Sequence, residues 1–160
     1  MPRFGFPDVV DAVTVRLVAS LVLLIALLAL LTGRWWLYAV LASDFILRSA
    51  FGPSVSPLAQ VALRWLRPWV TALPQPTPGA PKRFAAVIGA VLTTGAFVVG
   101  AAGAMTGSLA APTVVVALGT IMVVFPALEA LAGVCVGCLF YNRLMRVGLV
   151  PPKTCMECTG

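Results

Sequence analysis

Residues 84–128 read FAAVIGAVLTTGAFVVGAAGAMTGSLAAPTVVVALGTIMVVFPAL, 45 positions without an acidic or basic side chain. Roughly 20 apolar residues cross a bilayer as a helix, so this stretch fits two spans and a turn at Thr106 to Pro112. The whole chain of 160 residues is 61% apolar and 10% charged, with a mean hydropathy of +1.04. A soluble domain carries about 25% charged residues. The totals exclude a soluble enzyme and predict an all-α integral membrane protein.

Working outward, the sequence predicts four transmembrane helices at about 13–32, 35–51, 84–107 and 112–142. The first is Leu-rich at its centre and ends at Gly33; it is read as a retained span rather than a cleaved leader, since no small-residue cleavage site follows it. The second carries Trp35, Trp36 and Tyr38 as an interfacial aromatic belt and is interrupted by Asp44 and Arg48. In the third, Ala85, Gly89, Thr93, Ala96, Gly100 and Ala104 recur at helical spacing and form a face narrow enough for close helix contact. The fourth is expected to run through a kink at Pro126, where a backbone donor is missing.

Between the second and third spans, Ser56-Pro57 supplies a hydroxyl cap and a proline for a helix start. Gln60, Arg64 and Arg67 then form one polar stripe, which suits an amphipathic helix over about 57–70 lying in the membrane surface. Residues 71–83, rich in proline, read as a linker, and 147–160 as a Cys-containing tail.

Four spans place both termini on one side. Arg3, Arg16, Arg48, Arg64, Arg67, Lys82, Arg83, Arg143, Arg146 and Lys153 fall there, and Arg34 on the other. This asymmetry predicts a multi-pass membrane protein with cytoplasmic termini. The net charge of +6 is therefore a topology signal, and no nucleic-acid partner is expected.

The chain has no His and four Cys. Cys135 and Cys138 form one CxxC pair, predicted at the cytoplasmic end of the fourth span; Cys155 and Cys158 form another in the tail. The cytoplasm keeps thiols reduced, which argues against two structural disulfides. Three readings stand. Cys135 and Cys138 pack as small apolar helix residues; or all four thiolates hold a structural zinc, a spacing that falls inside a known zinc window; or the pairs carry out thiol–disulfide exchange or persulfide transfer. The third leads, because a reactive thiolate needs positive charge nearby and Arg48, Lys82, Arg83, Arg143 and Arg146 are expected at that membrane level. No cofactor is then expected, zinc being the alternative.

Ionisable groups inside spans are functional candidates by default. Asp44 and Arg48 are four apart and able to pair. Glu129 is expected deep in the fourth span, paired with Arg16 or Arg48 or else protonated, and facing away from Cys138 on an unbroken helix. Arg83 is a further supporting polar residue. Asp44, Arg48 and Glu129 support a second function class, transport of a small sulfur-containing anion along a route that they line, with the thiols receiving the cargo. A third is a non-catalytic membrane anchor held by zinc.

Val10-Asp11, Val15-Arg16, Asp44-Phe45, Leu47-Arg48, Pro81-Lys82-Arg83-Phe84-Ala85, Glu129, Cys135-Val136-Gly137-Cys138 and the closing Cys155 and Cys158 resemble a bacterial family of small membrane proteins known as domain of unknown function 4395. The resemblance covers most of the chain. It implies four spans and supplies no activity. Relatives are often encoded beside rhodanese-type sulfurtransferases and thioredoxin-like proteins, which implies such a cytoplasmic protein as a partner alongside the lipid bilayer.

Overall fold

The computed structural model describes residues 7–149, which form a helical bundle with one short strand pair. Strand β1 (Val9–Asp11) leads into α1 (Ala12–Thr32). Asp11 caps that helix: its carboxylate accepts the backbone N–H groups of Val13 and Thr14 at 3.2 and 3.3 Å and the Thr14 hydroxyl at 2.8 Å. Gly33 ends it in the left-handed region at φ 65°, a conformation open to glycine because it lacks a Cβ.

The chain then reverses into α2 (Leu37–Phe51). A helical run follows over three registers: α3 (Pro57–Val61), a π-type turn (Ala62–Leu66) and a 3₁₀ turn (Arg67–Trp69). Ser56 caps the run through its hydroxyl, which accepts the Ala59 N–H at 3.2 Å. Strand β2 (Pro76–Pro78) precedes α4 (Gly79–Thr106); α5 (Ala111–Ala127) continues into a π-type turn (Leu128–Ala132), and α6 (Val136–Arg146) closes the described chain.

Three of these helical runs are long and apolar enough to cross a membrane: Ala12–Thr32, Gly79–Thr106 and Ala111–Ala132. Only 28%, 28% and 17% of their most apolar windows are buried inside the protein. Most of their apolar surface therefore faces outward, as in Leu24, Leu31, Val91 and Leu131. Water would not tolerate this, whereas lipid tails would.

Small residues set the packing. A Cβ at Gly89 would lie 2.5 Å from the Phe45 ring, and one at Gly100 would lie 2.5 Å from the Trp35 Cβ. The Arg83 Nε donates to the Ser49 carbonyl at 3.0 Å. Helices α2 and α4 thus run antiparallel in contact along the length of α2. In the same way Leu30 meets Gly119, and Arg16 meets Gly133, so α1 lies antiparallel to α5. Of the expected small face of α4, Gly89, Thr93, Ala96 and Gly100 are buried, whereas Ala85 is half-buried and Ala104 is exposed.

Three expected boundaries need correction. The segment read as a second span is a helix of 15 residues, about 22 Å long; its expected start at Trp35 and Trp36 is a turn instead. The stretch 71–83 is not simply a linker. Pro76–Pro78 pairs antiparallel with Val9–Asp11, with Val10 opposite Thr77, and α4 begins at Gly79. The prolines suit an edge strand, which has no second neighbour to receive an N–H. Finally, 112–142 is not one helix. Gly133 enters the left-handed region at φ 69° and stops it; the N–H groups of Gly133 and Val134 bond back to Glu129 and Leu128 at 3.1 and 3.2 Å. This is the usual glycine-terminated helix end.

Candidate functional site

The stop at Gly133 determines what the first CxxC pair is. Cys135 takes an extended conformation (φ −87°, ψ 105°) and becomes the N-cap of α6. Its sulfur accepts the backbone N–H of Cys138 at 3.3 Å, and its carbonyl accepts the Leu139 N–H at 3.1 Å. An N-cap side chain normally satisfies one orphan donor of the first turn, and here a sulfur does so. The helix N-terminus also concentrates partial positive charge. The pair therefore opens a separate helix just beyond the long apolar run Ala111–Ala132, and both cysteines are free thiols.

The two thiols are inequivalent. A hydrogen bond from the Cys138 thiol holds Cys135 below the ordinary thiol range; burial and the charge of Glu129 oppose this, while Lys82 and the Cys138 N–H favour it. Cys138 is pushed well above that range by the same hydrogen bond, by burial and by the charge on Cys135. Cys135 is thus the more acidic thiol of the pair and Cys138 the less acidic one.

Helix α6 is seated on α4. A Cβ at Gly137 would overlap Ala85, and the Phe84 and Tyr141 rings stand 5.7 Å apart. This puts Cys135 beside the start of α4, where Lys82 forms an ion pair with Glu129. Glu129 thus takes Lys82 in place of the expected Arg16 or Arg48. The expectation that it faces away from Cys138 assumes an unbroken helix. The break at Gly133 brings Glu129 close enough to act on both thiols, and Arg16 lies against Gly133 itself.

Asp44 and Arg48 form the expected i, i+4 ion pair. Asp44 is fully buried, and its other oxygen accepts the Ser56 hydroxyl at 2.5 Å and the Leu58 N–H at 2.9 Å. Its role is to clamp α2 onto the start of α3. The Arg48 guanidinium stands 4.7 Å from the Phe45 ring centroid, and its Nε is buried with no acceptor. Arg83 reaches the Ser49 carbonyl, at the end of α2. Cys155 and Cys158 lie outside the described residues. Among those described, no three Cys, Asp or Glu residues stand together as a metal cluster, so a zinc site of four thiolates would require the tail pair.

Cys135, Arg48, Lys82 and Glu129 all line one cavity of about 550 Å³ between α1, α2, α4, α5 and α6. Two contributions escape the sequence reading. Lys82 is expected there as a positive charge at the level of the thiols, but its pairing with Glu129 is not, although its place one turn into an apolar helix is a signal that it needs a buried partner. Asp11 joins the strand pair to the surface run: it accepts the Gln75 N–H at 2.9 Å and pairs with Arg67 at 3.2 Å. The predicted polar stripe is thus partly an anchoring device.

No curated protein and no solved structure matches this chain. The family described as Domain of unknown function (DUF4395) matches residues 10–146, a range that holds the caps, the Lys82–Glu129 pair and the first CxxC. The chain belongs to that family.

Proposed function

We propose that this is a four-pass protein of a bacterial inner membrane whose Cys135–Cys138 pair carries out thiol–disulfide exchange, or passes sulfur as a persulfide, on the cytoplasmic side. The observation that carries the reading is the capping geometry: the Cys135 sulfur receives the Cys138 N–H at a helix N-terminus, and its pKa is lowered there. Lowered thiol pKa values at helix N-termini and in CxxC motifs belong to exchange chemistry.

In the oxidised state a thiolate from outside attacks the Cys138 sulfur. The S–S bond breaks, and Cys135 leaves as the thiolate that its surroundings favour; the better leaving group is the thiol of lower pKa. Cys135 is buried and Cys138 is half-buried, which suits attack from the Cys138 side. The tail pair Cys155 and Cys158 or a soluble thioredoxin-like protein or sulfurtransferase would supply the thiolate.

The four-pass reading is supported by the course of α2, which follows α4 from Trp35 beside Gly100 to Ser49 beside Arg83. The run 57–69, with Trp65 and Trp69 mostly exposed, would lie in the cytoplasmic interface as an amphipathic helix, since exposed tryptophans favour headgroup depth. The cation asymmetry orients the whole.

A redox titration of the purified protein in glutathione buffers tests the function. A reversible two-electron transition with a Cys135–Cys138 disulfide is expected, lost in Cys135→Ser and Cys138→Ser. Stoichiometric zinc with four protected thiols, or no disulfide at any poise, would sink the reading.

A further inference from the structure

An exchange pair that works repeatedly as an oxidant needs an electron acceptor, and the bilayer carries one class of such acceptors. The cavity of about 550 Å³ has Cys135 in its lining, while Cys138 does not contribute to it. Its walls are apolar, built from Val15, Val18, Ile88, Leu92 and Phe125, with polar groups confined to a few positions. Arg48 is one of them, and its Nε–H is buried without an acceptor. Lys82 is another. A cavity of this size, mostly apolar with a few polar groups that fix orientation, suits a small amphiphilic ligand.

From these features we propose that the cavity takes a quinone headgroup, with Cys135 against the ring and a quinone oxygen accepting from Arg48, and that the CxxC pair passes two electrons to it. The proposal rests on the exchange reading above. Membrane quinones are the class of two-electron oxidant known to keep dithiol systems oxidised.

The step balances as follows. The Cys135 thiolate adds to a ring carbon, forming an S–C bond, and the electron pair moves to a ring oxygen that takes a proton. The Cys138 thiol gives up its proton and its sulfur attacks the Cys135 sulfur. An S–S bond forms, the S–C bond breaks, and the electron pair stays on the ring, which takes a second proton. Two thiols become one disulfide, and one quinone becomes one hydroquinone.

The test uses the full chain with Cys155→Ser and Cys158→Ser, purified reduced and without oxygen, so that two thiols remain. Decylubiquinone is expected to yield one hydroquinone and one Cys135–Cys138 disulfide per chain. Cavity-filling Val15→Trp and, separately, Leu92→Trp should slow this reaction at least tenfold. Oxidation by diamide, a small polar reagent, should keep its wild-type rate in both variants, which also shows that they fold. Diamide closing the disulfide while decylubiquinone does not, or tryptophans that leave the quinone rate unchanged, would overturn the quinone site and leave the exchange reading standing. Failure of both oxidants to close the disulfide would overturn both.

Discussion

The backbone N–H of Cys138 donates to the sulfur of Cys135 at 3.3 Å, across the first turn of α6. That contact and, more strongly, the hydrogen bond from the Cys138 thiol make two chemically identical residues unequal. One sulfur sits at the positive end of a helix as an acceptor, and the other lies one turn inside it as a donor. Such a division of labour is what thiol exchange requires, because the attacking or leaving sulfur and the resolving sulfur have different tasks.

The ion pair beside the thiols should tune them in opposite directions. Lys82 holds the Cys135 thiolate down in pKa, and Glu129 pushes it up. Lys82→Gln is therefore expected to move Cys135 alkylation to higher pH, and Glu129→Gln to lower pH. Peptide-resolved alkylation rates check the two signs; shifts in the same direction would contradict the assigned charges.

Asp44 holds α2 to α3 through the Ser56 hydroxyl, the Leu58 N–H and Arg48. Asp44→Ala leaves the Arg48 charge without its partner, so a loss of about 3 kcal/mol is expected. Ser56→Ala, which removes one cap, should cost about 1 kcal/mol. Thermal unfolding in detergent should rank them in that order.

Two glycines are needed for contact rather than for backbone freedom. A Cβ at Gly89 would stand 2.5 Å from the Phe45 ring, and one at Gly137 would overlap Ala85. Overpacking of this kind costs about 1–3 kcal/mol. Gly89→Ala should lower thermal stability and leave Cys135 reactivity unchanged. Gly137→Ala should alter that reactivity as well, because it lifts α6 off α4.

Asp11 carries an acid-dependent share of the stability. Burial raises its pKa, but hydrogen bonds from Gln75, Thr14 and Val13 outweigh this and leave it below the ordinary 3.8. Its contribution is fully present above that value and is lost as pH falls through the lowered folded pKa. Asp11→Asn should flatten the acid limb of a stability profile measured in detergent at low pH.

Hydropathy and glycine make the spans around α4 and α5 legible, as bilayer length leaves few alternatives for 45 uncharged residues. The Asp44–Arg48 pair follows from helical spacing alone. The sequence reading errs where one residue redirects the chain. Gly133 looks like any small residue of an apolar helix, yet its left-handed conformation stops that helix and converts Cys135 from a packed side chain into a cap. The pairing of Lys82 with Glu129, 47 positions apart, depends on how α4 and α5 meet, and no local pattern encodes it. Pro76–Pro78 is hidden for a similar reason: proline-rich segments read as linkers until a partner strand is known.

The pH dependence of modification at each cysteine of the reduced wild-type chain, read by mass spectrometry after pulses of a small methylthiolating reagent, tests the account most directly. Cys135 is predicted to become reactive below the ordinary thiol range and Cys138 to stay unreactive well above it. Cys138 reacting at lower pH than Cys135, or both titrating together in the ordinary range, would contradict it.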